Sequence, residues 1–356
     1  MGCQYALVCM LTGRKGACVV MKLDILKECA GAKTIGITGH VRPDGDCVGS
    51  CLALCRYLQN NLADASVKVF LEQPSDSFRE LKGFHEIVVL EPVKKNCEAN
   101  ADSKEEKKAE PFDVFFVLDS MPDRTGAAEC LYNAAAKKIN IDHHVSNPGC
   151  GDVSLVEPTV GSACEVLYGL MDKEKLDADI ALALYIGIIH DTGVFQYSNT
   201  RPETLHAAAC LIGFGFDFPR LIQETFYQKT YLQTRIMGKV LEESRLLCEG
   251  KCVAGIVTKE TLEEFGAVSG DLEGIVSQLR NIKGVHCAVF MYELGNVQEQ
   301  EFKVSLRSDE YVNVAEIAAH FGGGGHVRAA GCTVKGTPEA VLAQVVTYIE
   351  VQLTSN

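Results

Sequence analysis

Short apolar runs separated by helix-patterned stretches constrain this chain more than any other feature. Thr34-Ile35-Gly36-Ile37-Thr38 and the runs at 67–71, 86–90, 114–118 and 138–141 have strand length and are rich in β-branched or aromatic residues. Residues 51–58 carry helix-like apolar spacing, and 181–189 read better as a buried helix than as a strand. Such alternation predicts an α/β fold with a mostly parallel sheet flanked by helices on both faces. At 356 residues the chain has room for about two domains. Its 47% hydrophobic content supports ordinary buried cores.

Polar residues of one chemical kind stand at the ends of these runs. His40, Asp44 and Asp46 share the turn after the first strand, at a carboxyl end, where open α/β sheets place their ligand sites. Asp119 follows the 114–118 run directly, Asp142-His143-His144 follows 138–141, and Asp191 follows 181–189. Singly, each is ordinarily a turn, cap or hydrogen-bonded residue. Gathered at one sheet edge, the carboxylates and imidazoles would repel and desolvate each other without cations between them. A two-metal centre is therefore expected, with imidazole and carboxylate donors that suit hard or borderline divalent ions.

Charge and cysteine usage narrow the function classes. A formal charge of -13 argues against a broad grip on duplex DNA, though not against a short nucleotide held in a pocket. The 16 cysteines are scattered with no Cys-x-x-Cys pair, and they read as reduced thiols of a cytoplasmic protein. Cys47, Cys51 and Cys55 recur on one helix stripe as small apolar core contacts. Residues 5–11 are apolar but fall far short of the ~20 needed to span a bilayer. No basic stretch precedes them as in a signal peptide, so no membrane association is expected.

Four segments follow. Residues 1–20 read as an N-terminal extension, 21–215 as the metal-binding domain, 216–247 as a helical linker and 248–356 as a smaller mixed α/β domain. The charged stretch 92–111 reads as a solvated surface insertion. In the last segment, strands are expected at 253–257, 287–291 and 302–306, and helices at 272–280, 314–320 and 339–352. Gly322, Gly323, Gly324 and Gly325 expose backbone amides that suit negatively charged oxygen. His326 and Arg328 follow at once and Arg307-Ser308 ends a strand upstream, a set that suits phosphate.

His40-x-x-x-Asp44-x-Asp46-x-x-Gly49-Ser50, Asp119, Asp142-His143-His144 and Asp191-Thr192-Gly193 resemble, in order, the motifs of the DHH phosphoesterase superfamily. Arg307-Ser308 and the run from Gly322 to Gly331 resemble the signature of the accompanying DHHA1 domain. The resemblance implies that His40, Asp44 and Asp119 hold one ion and that Asp46, Asp119, His143 and Asp191 hold the second, with Mn²⁺ the expected metal for both. It implies that His144 faces the substrate and that Asp142 orients the neighbouring imidazoles. Arg307, Ser308, Gly322 to Gly325, His326 and Arg328 would contact substrate phosphate across a cleft.

Within the superfamily the chain is most similar to the branch that hydrolyses short single-stranded RNA and removes the 3′-phosphate from adenosine 3′,5′-bisphosphate (pAp). The alternative is a phosphodiesterase acting on cyclic di-AMP or its linear product pApA. The resemblance and the helical linker also imply a homodimer. His190 departs from the family pattern, which has a small hydroxyl residue before Asp-Thr-Gly, and is expected to be a hydrogen-bonded spectator. Ser50 is expected to cap the helix that follows the first strand, with a phosphate contact through that helix's amides as the alternative.

Overall fold

The computed structural model describes residues 23–92, 110–295 and 300–355. The extension expected at 1–20 and most of the insertion expected at 92–111 lie outside the described residues. The chain divides into two compact units between Gln228 and Lys229, inside the stretch expected as a linker. The helix Tyr231–Glu242 is no tether, because its Ile236 and Val240 are buried in the core of the second unit.

In the first unit, β1 (Thr34–Thr38), β2 (Ser66–Leu71), β3 (Val88–Val89), β4 (Val114–Leu118), β5 (Lys137–Asp142) and β6 (Val153–Val156) form one sheet in the order β3-β2-β1-β4-β5-β6. Every pairing is parallel. The chain winds outward from β1 to β3 and then returns to lay β4 on the opposite side of β1. The strand order thus reverses between β1 and β4, and such a switch point opens a crevice beyond the carboxyl ends of the strands.

The two faces are unequally covered. Ile35, Ile37, Val114, Phe116, Leu118, Ile139 and Ile141 enter a large core with the helices Gly45–Asn61, Ala163–Leu170, Ala178–Asp191 and Pro202–Ile212. The other face carries Phe70, Phe115 and Val117 against Ala128, Tyr132 and Ala135 around the short helix Glu129–Ala134. Strand alternation sends neighbouring residues to opposite sides, so an apolar run such as β4 is buried along its whole length. The helices Gly45–Asn61 and Ala178–Asp191 approach closely because glycines stand where they touch. A Cβ on Gly49 would lie 2.5 Å from the Ala183 carbonyl oxygen, and one on Gly187 would lie 2.5 Å from Asp46 Oδ1.

The second unit holds a mixed sheet of β7 (Arg245–Leu247), β8 (Cys252–Val257), β9 (Cys287–Glu293), β10 (Glu301–Ser308), β11 (Gly324–His326) and β12 (Ala329–Lys335). Its order is β11-β12-β10-β9-β8-β7, and only β8 and β9 pair in parallel. One face packs on the helices Val314–His320 and Pro338–Ser355, the other on Tyr231–Glu242 and Ile275–Arg280. All the described cysteines are free thiols, and Cys47 and Cys51 are core contacts. No helix among the described residues is long and apolar enough to cross a membrane.

Replacing Gly49 by Ala should force the two helices apart, at about 1–3 kcal/mol of stability. Urea unfolding should show a lower midpoint with an unchanged slope, and an undiminished midpoint would refute the close-approach account.

Candidate metal centre

Each expected ligand sits at the end of an element in the first unit. β1 leads into Gly39 and His40, whose Nδ1 lies 2.9 Å from the Val41 carbonyl oxygen. Asp44 is the N-cap of the helix Gly45–Asn61 and accepts from the amides of Asp46 and Cys47 at 3.1 Å. That cap role belongs to Asp44 and not to Ser50, whose buried hydroxyl donates to the Cys47 carbonyl within the helix. Asp119 follows β4 and adopts a left-handed backbone, φ 52°, which is strained for a residue with a side chain. Asp142 is the last residue of β5, and Asp191 ends the helix Ala178–Asp191.

The side chains converge. His40 Nε2 stands 3.4 Å from Asp119 Oδ2 and 3.6 Å from Asp44 Oδ1. His143 Nε2 stands 3.3 Å from Asp119 Oδ1, 3.1 Å from Asp191 Oδ2 and 3.9 Å from Asp46 Oδ2. Asp119 therefore presents one oxygen to each imidazole. His40, Asp44 and Asp119 place ligand atoms within 4.8 Å of one another, as do Asp46, His143 and Asp191. Asp119 Oδ1 and His143 Nε2 are buried with no hydrogen-bond partner. Buried polar atoms left in this condition call for an ion or a water, and an oxygen and an imidazole nitrogen facing one point fit a divalent cation.

The electrostatics lead to the same conclusion. Burial alone would lower the His143 pKa, yet the carboxylates of Asp119 and Asp191 raise it to about 12. His40 is likewise held well above the usual imidazole range, against burial, by Cys47, Asp119 and Asp44. Burial and the charge of Asp119 push Asp191 up to about 6, although His143 opposes the shift. Burial, Asp119 and Asp191 push Asp46 up as well. Asp119 is held well below the carboxylate range, since the two imidazoles outweigh its burial. Protons on imidazoles and carboxylates thus neutralise a site with surplus negative charge, and cations would take their place.

A supporting layer came from residues that the motifs did not single out. Asp46 accepts from the Ala163 and Cys164 amides at 2.6 and 2.9 Å, at the start of the helix Ala163–Leu170. Asp142 spends one oxygen on His144 Nδ1 at 2.7 Å and the other on Asn147 at 2.6 Å, and Asn147 also bonds Asn140 at 2.9 Å. Asn199 donates to the carbonyls of Gly161 and Asp191, at 3.1 and 3.0 Å. His190 turns toward the Thr225 hydroxyl, 3.2 Å away, with Phe78 and Phe226 edge-on to its ring.

The second unit arranges its expected residues differently from an open glycine loop. Gly324 and Gly325 continue into β11, paired with Gly331 and Ala330. A Cβ on Gly323 would strike the Gly331 carbonyl oxygen, and Gly325 has a φ of +145°, so both serve the pairing with β12. The Ser308 hydroxyl donates to the Val312 carbonyl at 2.6 Å, and the Arg328 guanidinium donates to the Asp309 carbonyl. Arg307 lies in register with Ala288 and Ala329, one strand from each, and exposed His326 faces Ala329.

A doubly wound sheet whose switch point carries acidic and imidazole groups, followed by a second mixed unit, defines a class of α/β protein built around divalent cations. The DHH family, N-terminal domain, matches residues 34–188, and the DHHA1 domain matches residues 250–353. The chain belongs to the DHH family. It is 33% identical over 317 residues to the bifunctional oligoribonuclease and PAP phosphatase NrnA of Thermus thermophilus, covering 88% of this chain and 87% of that protein. Its identity to the Bacillus subtilis protein of the same name is 28%, over 90% of this chain and 95% of the relative. A solved exopolyphosphatase-related protein from Bacteroides fragilis superposes with a TM-score of 0.78 at 27% identity, covering 92% of this chain and 94% of that one.

Because cations must displace protons here, the rise in Tm on adding a divalent ion should be larger at pH 7.5 than at pH 5. Asp191, raised to about 6, holds its proton in the metal-free fold below that value. The unfolded chain releases it nearer the ordinary carboxylate value, so the metal-free fold loses stability as pH rises between the two. Thermal melts with and without added ion at both pH values check this, and an equal or larger gain at pH 5 would refute it.

Proposed function

We propose that the protein is a two-metal phosphoesterase that hydrolyses oligoribonucleotides a few residues long to mononucleotides and removes the 3′-phosphate from pAp. The observation that carries this reading is the placement of Asp119 at the switch point, one carboxylate oxygen toward His40 and the other toward His143. The names of the Thermus and Bacillus relatives, which match nearly the whole chain, support the substrate class. They do not support the cyclic di-AMP alternative, which is set aside.

On this reading His40, Asp44 and Asp119 hold one ion, and Asp46, Asp119, His143 and Asp191 hold the other. Mn²⁺ suits the mixed imidazole and carboxylate donors. When bound, such ions supply Lewis acidity toward a phosphoryl oxygen and lower the pKa of water. His144, its ring fixed by the bond from Nδ1 to Asp142, would contact the phosphoryl group or donate a proton to the leaving oxygen. Asp142, held ionised by His144 against its burial, orients that imidazole without reaching substrate. In the second unit, Arg307, Ser308, Gly322 to Gly325, His326 and Arg328 would receive a substrate phosphate. Of these four glycines, Gly322 and Gly324 have open space around them. Free thiols throughout the described chain support a reducing, cytoplasmic setting, and a homodimer is the assembly implied by the family resemblance.

Rates on pApA, longer oligoribonucleotides, pAp and cyclic di-AMP, with Mn²⁺ and with Mg²⁺, test the reading. The expected order is fast cleavage of the shortest linear substrates and of pAp, faster with Mn²⁺, and little action on cyclic di-AMP. Preference for the cyclic substrate would overturn it. Asp119→Ala should lower turnover of every substrate by more than about a hundredfold, since even outer partners of metal ligands are worth 10–100-fold.

A further inference from the structure

A second polar cluster, which none of the motifs singled out, stands at one end of the second unit's sheet. Cys287 opens β9 in register with Ser308, the last residue of β10, so His286 and Asp309 emerge side by side. Asp309 Oδ2 accepts from His286 Nδ1 at 2.8 Å and from the Arg280 guanidinium at 2.9 Å. Its other carboxylate oxygen accepts from the Tyr311 amide at 3.2 Å, and its main-chain oxygen accepts from the Arg328 guanidinium. The His286 ring lies against Tyr311, with centroids 4.3 Å apart.

We propose that His286, held by Asp309 and Tyr311, contacts a phosphate monoester of the nucleotide substrate at the same sheet end as Arg307 and His326. This rests on the phosphoesterase reading above and adds a residue to it. Nδ1 is committed to Asp309, so Nε2 is the atom that meets the ligand, and it makes no hydrogen bond among the described residues. The side chain is 27% exposed, enough to be reached and too enclosed to swing freely. Arg280 and His286 bond the Asp309 carboxylate and Arg328 bonds its main-chain oxygen, so donor groups already occupy this acidic residue and the set offers further donors to an anion rather than free oxygens to a metal ion. Neighbouring strands lie about 4.8 Å apart, so the row β9-β10-β12-β11 puts His286 within roughly 15 Å of His326, on the same sheet end. A ring fixed on two sides binds an anion without losing rotamer freedom at that moment.

The test uses the full chain with Mn²⁺. His286→Ala should raise KM for pAp about tenfold, as expected for loss of a charge-assisted hydrogen bond, with kcat unchanged. Hydrolysis of bis(p-nitrophenyl) phosphate, which has no monoester phosphate, should not change. Asp309→Asn should raise KM for pAp in the same direction by leaving the ring unoriented, and His286→Gln, which retains a donor, should recover part of the loss. In wild-type protein, inorganic phosphate and adenosine 5′-monophosphate should shift the His286 imidazole NMR signals, whereas adenosine should not. Equal losses on pAp and on the generic diester, or an unmoved His286 signal, would overturn the assignment while leaving the enzyme's activity in place. If wild-type protein neither binds nor hydrolyses pAp, the functional reading fails and this assignment falls with it. Should His286→Ala not fold, the Gln variant and the NMR titration still decide.

Discussion

The metal centre depends on how closely the helices Gly45–Asn61 and Ala178–Asp191 can pack. One carries Asp46 in its first turn and the other carries Asp191 as its last residue, so the spacing between the helices sets the distance between two carboxylates of the cluster. Side chains at Gly49 and Gly187 would hold the helices apart, and a Cβ on Gly187 would also lie 2.5 Å from Asp46 Oδ1. The start of the helix Ala163–Leu170 meets Asp46 from a third direction, through the amides of Ala163 and Cys164. Removing space at this contact would therefore disturb stability and ligand geometry together, because well-packed interiors transmit small displacements.

Strain and burial at Asp119 follow from the topology. The strand order reverses beside β4, so the residue leaving β4 lies between the ligands that follow β1 and those that follow β5. A left-handed backbone turns the carboxylate back across that crevice, where it meets His40 on one side and His143 on the other. Strained conformations persist where the surroundings over-determine them. The Asp119 amide donates to the Ile141 carbonyl at 3.0 Å, which anchors the turn to the neighbouring strand.

The sequence revealed the clustered acidic and imidazole residues better than what holds them. His40, Asp44, Asp46, Asp119, His143 and Asp191 were legible because each follows an apolar run, and strand ends on one edge of a parallel sheet converge. The holders were hidden because they are backbone amides or ordinary polar residues far along the chain. Nothing in Ala163 or Cys164 signals a bond to a carboxylate more than a hundred residues earlier. The short strands β7 and β11 were missed for a related reason: Arg245–Leu247 and Gly324–His326 have too few residues for a periodicity, and their pairing is set by neighbours. The run of four glycines read as a loop suited to anions. Two of the four are required by backbone contact with β12, a tertiary constraint invisible in the local sequence. The helix at 231–242 read as a linker because its apolar spacing gives no indication of which unit it packs against.

The two units carry opposite electrostatic problems. The first gathers carboxylates around two imidazoles and leaves Asp119 Oδ1 and His143 Nε2 buried without partners, so it is stabilised by added positive charge. The second places Arg280, Arg328 and His286 around the single residue Asp309, so it is stabilised by added negative charge. Neither imbalance is needed to hold the fold, since hydrophobic cores on both faces of each sheet do that. A divalent cation suits the first and an anion suits the second. Charge left unbalanced in a folded domain is retained against stability, and each unit of this chain does so by itself, with opposite signs.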